Sequence, residues 1–102
     1  MKIRFLEIAI EEWAEAKTYY DSQELGLGDR FSAEVRKALE RIRDFSSAWP
    51  LVGHRTRRCL VSYFPFGVYY HLLPESILVV SVFDQRKEPR NWGIWYKKHH
   101  EQ

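Results

Sequence analysis

A single cysteine, Cys59, in 102 residues excludes an internal disulfide and any zinc site built on cysteines. It stands between Arg58 and Leu60 in a strand-like run, which predicts a buried structural thiol rather than a nucleophile. Net charge is nearly missing as well: 16 Lys and Arg oppose 14 Asp and Glu, leaving +2. That is too little for a strong non-specific nucleic-acid binder. No stretch approaches the roughly 20 apolar residues that span a bilayer. Residues 1–10 carry Lys2, Arg4 and Glu7 instead of the apolar run of a signal peptide. The expectation is a cytoplasmic protein with no membrane partner. Repeats and low-complexity segments are lacking too, and a chain this short holds one core.

Aromatic rings, in contrast, are plentiful: four Trp, six Tyr and six Phe. Most such rings fill a core, yet their number also suits an apolar docking surface. Charge is unevenly placed. Glu7, Glu11, Glu12 and Glu15 crowd the first part, while basic residues gather at positions 54–58 and 86–90. One edge facing a polyanion is expected on an otherwise balanced surface.

Residues 2–8 alternate, with Ile3 and Phe5 on one side and Arg4 and Leu6 on the other, and predict a short strand. From Ala9 the period changes. Ala9, Trp13, Ala16 and Tyr20 share one helical face, with Glu residues in the first turns, where the helix dipole favours them. Gly26 and Gly28 break that pattern. A second helix follows, its stripe formed by Phe31, Val35, Ala38, Leu39, Ile42 and Phe45. The short connection makes the two helices an antiparallel hairpin, and Trp49-Pro50 marks the exit. Strands are predicted at 57–63, 68–73 and 77–83, with turns at 65–67 and 74–76. The run 77–83 is apolar on both faces, as a central strand is. The expected fold is α+β, in the order β-α-α-β-β-β, with the hairpin on one face of a mostly antiparallel sheet.

Four motifs are spaced through this frame. Ala9, Glu12, Ala16 and Tyr20 form one. Gly26-Leu27-Gly28-Asp29-Arg30-Phe31 opens the second helix. Arg58, Phe64-Pro65-Phe66, Val68 and Tyr70 form the third, and Arg86, Pro89 and Trp92 the fourth. In this combination the chain resembles the RelE/ParE toxin superfamily of type II toxin–antitoxin systems, and within it the ParE-like plasmid-stabilisation branch. The resemblance implies one toxin domain over 1–96, followed by a short polar tail at 97–102. It also implies a cognate antitoxin as partner and a growth-inhibiting activity. ParE-like relatives inhibit DNA gyrase by binding it, whereas RelE-like relatives cut mRNA on the ribosome. A third reading is a family fold kept as a non-toxic antitoxin-binding or regulatory module.

One residue departs from the pattern. The family often carries His where this chain has Asp84, and an ordinary Asp acts only as a base near neutral pH. Cutting RNA requires a base for the 2′-hydroxyl, cations for the phosphorane, and an acid for the leaving oxygen. Should the chain be a nuclease, Arg58, Arg86, His71 and Asp84 are the catalytic candidates, with His54 and Tyr63 as further proton carriers. Arg58 and Arg86 are expected to share one concave site, since arginine's planar fork suits phosphate. For target or nucleic-acid binding the candidates are Arg55, Arg57, Arg58, Arg86, Lys87 and Trp92. Each has a plain alternative: solvated edge charges at 55–58, a loop-fixing pair between Arg86 and Asp84 or Glu88, and a structural His71. Trp92, Trp95 and Tyr96 equally suit a C-terminal turn packed on the sheet. His99 and His100 make no metal site, and no cofactor is implied.

Overall fold

The alternating N-terminus stays extended for only four residues. In the computed structural model, which describes residues 1–88, β1 is Lys2–Phe5 and α1 is Glu7–Gln23. The strand was expected to run to residue 8. Instead Leu6 N–H donates to the Val79 carbonyl at 2.9 Å, and the Leu6 carbonyl accepts from Ala9 N–H at 3.0 Å, so the helix starts at once. Glu7 in its first turn is well placed for the dipole.

The other elements are α2 (Leu27–Asp44), β2 (Thr56–Leu60), β3 (Phe66–Leu72), β4 (Ser76–Asp84) and a 3-10 turn at Gln85–Lys87. The strands form one sheet in the order β1-β4-β3-β2. β1 lies parallel to β4, and the other two pairings are antiparallel. The two helices thus pack on a four-stranded mixed sheet in the order β-α-α-β-β-β. β4, the strand apolar on both faces, lies between β1 and β3.

One face of the sheet meets the helices. There Ala9, Ala16, Phe31, Val35, Ala38 and Ile42 pack with Val68, Tyr70, Ile77, Val79 and Val82, and Trp13, Tyr20 and Leu39 close the edges. Between the helices, Trp13 Nε1–H donates to Ser32 Oγ at 3.0 Å. The opposite face carries a smaller cluster in which Leu6, Val52, Leu78 and Phe83 surround Tyr69 and Val80. A register shift between Tyr69 and Tyr70 lets β4 bend across both layers.

Further boundaries differ from the sequence reading. Phe45 is not in the core stripe: it caps α2 with non-helical dihedrals and is 63% exposed. β2 stops at Leu60, not at residue 63. Tyr63 takes a left-handed backbone (φ 70°), which turns the chain, and Val61 N–H closes the loop on the Phe66 carbonyl at 2.9 Å. Phe66 and Gly67, expected in a turn, therefore open β3. Gly67 suits a strand here because a Cβ would meet Arg58 Cγ at 3.0 Å. Among the described residues, no helix is long and apolar enough to cross a membrane.

Candidate functional site

β4 delivers Asp84 to the end of the sheet, where its carboxylate does two jobs. Oδ1 accepts from Arg86 N–H at 2.9 Å and caps the 3-10 turn. The same carboxylate grips the Arg86 guanidinium in a fork, Nε to Oδ1 at 3.0 Å and Nη2 to Oδ2 at 2.7 Å. Side-chain hydrogen bonding to Arg86 holds the Asp84 carboxyl below its ordinary range, against a smaller opposing effect of burial. Arg86 itself is 66% exposed at the side chain. It borders a cleft of about 350 Å³ lined by Ala16, Tyr19, Tyr20, Phe66 and Lys87. Burial, then the charge of Asp84, raises the Tyr20 phenol. A neighbouring hollow of about 300 Å³ extends along α1 past Glu12 and Glu15.

Arg58 lies elsewhere. It pairs in register with Tyr69, so both point away from the helices. Its guanidinium forms an ion pair with Glu88, and Tyr69 O–H donates to the same Glu88 oxygen at 2.8 Å. Burial, reinforced by Glu88, pushes the Tyr69 phenol far up. Arg58 Nε is buried without a hydrogen-bond partner among the described residues. Arg58 and Arg86 thus hold different counter-ions, Glu88 on the face away from the helices for one and Asp84 beside α1 for the other.

The other candidates fall into place one by one. Arg57 points to the helix side and donates to the Ser47 and Trp49 carbonyls at 3.1 and 2.7 Å, which ties down the loop after α2. His71 is buried, its Nε2 lying 2.9 Å from Thr56 Oγ1. Arg55 and His54 are exposed ahead of β2, and Tyr63 stands 90% exposed in its turn. Lys87 lines both hollows beside α1. Cys59 is buried, and that burial raises its thiol. Trp92, Trp95, Tyr96, His99 and His100 lie outside the described residues, as does the 97–102 tail. Among the described residues, no group of three His, Cys, Asp or Glu side chains comes together to hold a metal ion.

Two acids took a larger part than their sequence positions suggested. Glu12, read in sequence among the acidic residues of the first part and as a member of the first motif, accepts from Ser81 Oγ at 2.7 Å and from Val82 N–H at 3.1 Å. Its place between Ala9 and Ala16 on the inward stripe was the available signal. Glu88 had no comparable signal, since only the folded hairpin brings Arg58 and Tyr69 to it.

Comparison with known proteins follows the same lines. The sequence matches the family model described as ParE toxin of type II toxin-antitoxin system, parDE, over residues 3–89. No curated protein matches it in sequence. Among solved structures it resembles one described as the chromosomal ParDE TA system from P. aeruginosa, with a TM-score of 0.63 and 11% identity. That alignment covers 82% of this chain and 95% of the other, a likeness of fold. With nearly every described residue inside the family match, the chain belongs to the ParE toxin family of type II toxin–antitoxin systems.

Proposed function

We propose that this chain is the toxin of a type II pair, that it arrests growth by binding a target protein such as DNA gyrase, and that a cognate antitoxin silences it. In this reading residues 1–96 are one toxin domain acting in the cytoplasm, with 97–102 as its polar tail. The observation that carries the binding mechanism is the closed fork between Arg86 and Asp84. A nuclease needs its cation free for phosphate and an acid beside it. Here the carboxylate takes the guanidinium's fork, and side-chain hydrogen bonding to Arg86 favours its ionised form. Tyr20, across the cleft, has its phenol raised by burial, so it does not cycle near neutral pH. His71 sits on the other face against Thr56. Such a surface suits recognition, with Arg86, Lys87 and Tyr19 offering charge and a ring to a partner. Arg55, Arg57, Arg58 and Trp92 complete the proposed contact set.

Two assays on the purified chain test this. Added to gyrase, it should inhibit supercoiling, and Arg86→Ala should weaken the inhibition. Added to translating ribosomes, it should leave mRNA intact. Codon-dependent cuts that vanish in Arg86→Ala, with gyrase untouched, would establish the RelE-like endonuclease instead. Silence in both assays, together with capture of an antitoxin, would leave a binding module without toxicity.

A further inference from the structure

The sheet face away from the helices carries a row of side chains, with Arg55, one of the proposed target contacts, at its β2 end. Arg4 on β1 lies opposite Leu78 on β4, Leu78 opposite His71 on β3, and His71 opposite Thr56 on β2. Residues opposed in this way share a face, so one row crosses all four strands. Arg55 immediately precedes Thr56. Arg4 and Arg55, at the two ends of the row, border a cleft of about 310 Å³ walled by Leu6, Leu73 and Leu78, with His71 in its lining. The floor is firm, since Thr56 is 2% exposed, His71 is 6% exposed, and the two side chains are in hydrogen-bond contact.

Among the described residues the charges in this cleft are unbalanced. Neither Arg4 nor Arg55 makes an ion pair or side-chain hydrogen bond with another described residue, and the described lining of the cleft includes no carboxylate. The next arginine on this face is treated differently: Arg58 has Glu88 as its built-in counter-ion. Two fixed positive charges around one cavity repel each other until an anion lies between them. A lone carboxylate brings one charge and two oxygens, which a single guanidinium already satisfies. A phosphate monoester brings up to two charges and three oxygens, enough for two planar forks approaching from opposite sides. The leucine walls then seat the organic part of the ester, in a cavity near the small end of ligand-pocket sizes.

We propose that the Arg4–Arg55 cleft binds a phosphate monoester, either a free small molecule or the phosphorylated end of a nucleic-acid strand. Calorimetric titration of the full chain at low salt tests this, with AMP, inorganic phosphate, acetate, and one oligonucleotide made with and without a 5′-phosphate. AMP should bind at a single site with a dissociation constant of about 1 mM or tighter, inorganic phosphate more weakly, and acetate more weakly still. Arg4→Ala and Arg55→Ala should each weaken AMP binding by about tenfold or more, the size of a lost charge-assisted pair. Arg4→Lys should restore part of it, and Arg30→Ala on the exposed start of α2 should change nothing. Both arginines are exposed, so unchanged melting curves will confirm that the variants fold. Binding of the phosphorylated oligonucleotide but not of AMP supports the site and names a strand end as its ligand. The proposal falls if AMP and the 5′-phosphate both go unrecognised, if acetate binds as tightly as phosphate, or if binding survives both alanine variants. Each of these results is independent of the gyrase assay.

Discussion

Glu12 lies on the face of α1 that meets β4, and its Oε1 accepts from both Ser81 Oγ and Val82 N–H. Removing that oxygen strands two donors at the helix–sheet contact, since Ser81 is fully buried. Glu12→Ala should therefore lower unfolding stability by about 2–4 kcal/mol, and Glu12→Gln, which keeps an acceptor oxygen, by clearly less. Chemical denaturation checks this, and equal losses in the two variants would remove the acceptor from the explanation. A second test concerns Tyr70, whose phenol donates to the Ser46 carbonyl at 2.5 Å and is pushed up by burial to about 12. A phenol raised in the folded state favours folding while it stays protonated. Its contribution is complete below the ordinary value near 10 and is lost as pH rises toward 12. In Tyr70→Phe the melting temperature at neutral pH should fall by the loss of one hydrogen bond, about 1 kcal/mol. The decline between pH 10 and 12 should flatten. At this scale the sequence revealed residue types but not pairings. It allowed Arg86 to pair with Asp84 or Glu88; the fold gives Asp84 to Arg86 and Glu88 to Arg58.

The helical hairpin was the most legible element, because its contacts repeat along the chain. Phe31, Val35, Ala38 and Ile42 recur at helical spacing and are all fully buried. Turns carry no such repetition, and there the reading slipped. The 62–65 turn depends on one left-handed residue, Tyr63, a conformation that its side chain does not advertise. Phe45 keeps the stripe's spacing, yet the helix has already ended beneath it. The link between the helices is tighter than its two glycines imply. Gly28 N–H donates to Asp21 Oδ1 at 2.7 Å, and a Cβ on Gly28 would meet the Lys17 carbonyl oxygen at 2.4 Å. Backbone cannot yield as a flexible side chain can, so Gly28→Ala should cost about 1–3 kcal/mol despite alanine's better helix propensity. Gly26, at φ 87° with open space around it, is strained by a side chain for a conformational reason instead. Comparing Gly28→Ala with Gly26→Asn by thermal melting separates the two cases, since asparagine tolerates the left-handed backbone that Gly26 adopts. A Gly28 variant as stable as the parent would show that the hairpin opens freely there.

At the scale of the molecule, the four-stranded sheet separates two cationic regions. Arg86 and Lys87 look toward α1, whereas Arg4, Arg55 and Arg58 occupy the other face. Sequence could not make that division, because it depends on the strand order β1-β4-β3-β2 and on the parity of each residue along its strand. What sequence did offer was the α+β order and the family, both carried by motifs spread along almost the whole described chain. A domain of this size buries little more than 60% of its unfolded surface, so a tightly bound partner adds visibly to its stability. That allows the antitoxin to be tested without any target or toxicity assay. A ligand that binds only the folded state, present at a hundred times its dissociation constant, adds about 2.7 kcal/mol. For a domain near 100 residues this shifts the melting temperature upward by about 10 °C or more. The product of the adjacent reading frame, titrated into the purified chain, should raise the melting temperature steadily with concentration, and the rise should continue past stoichiometric mixing, as linkage requires. A melting temperature indifferent to that protein at every concentration would detach this chain from it as a partner.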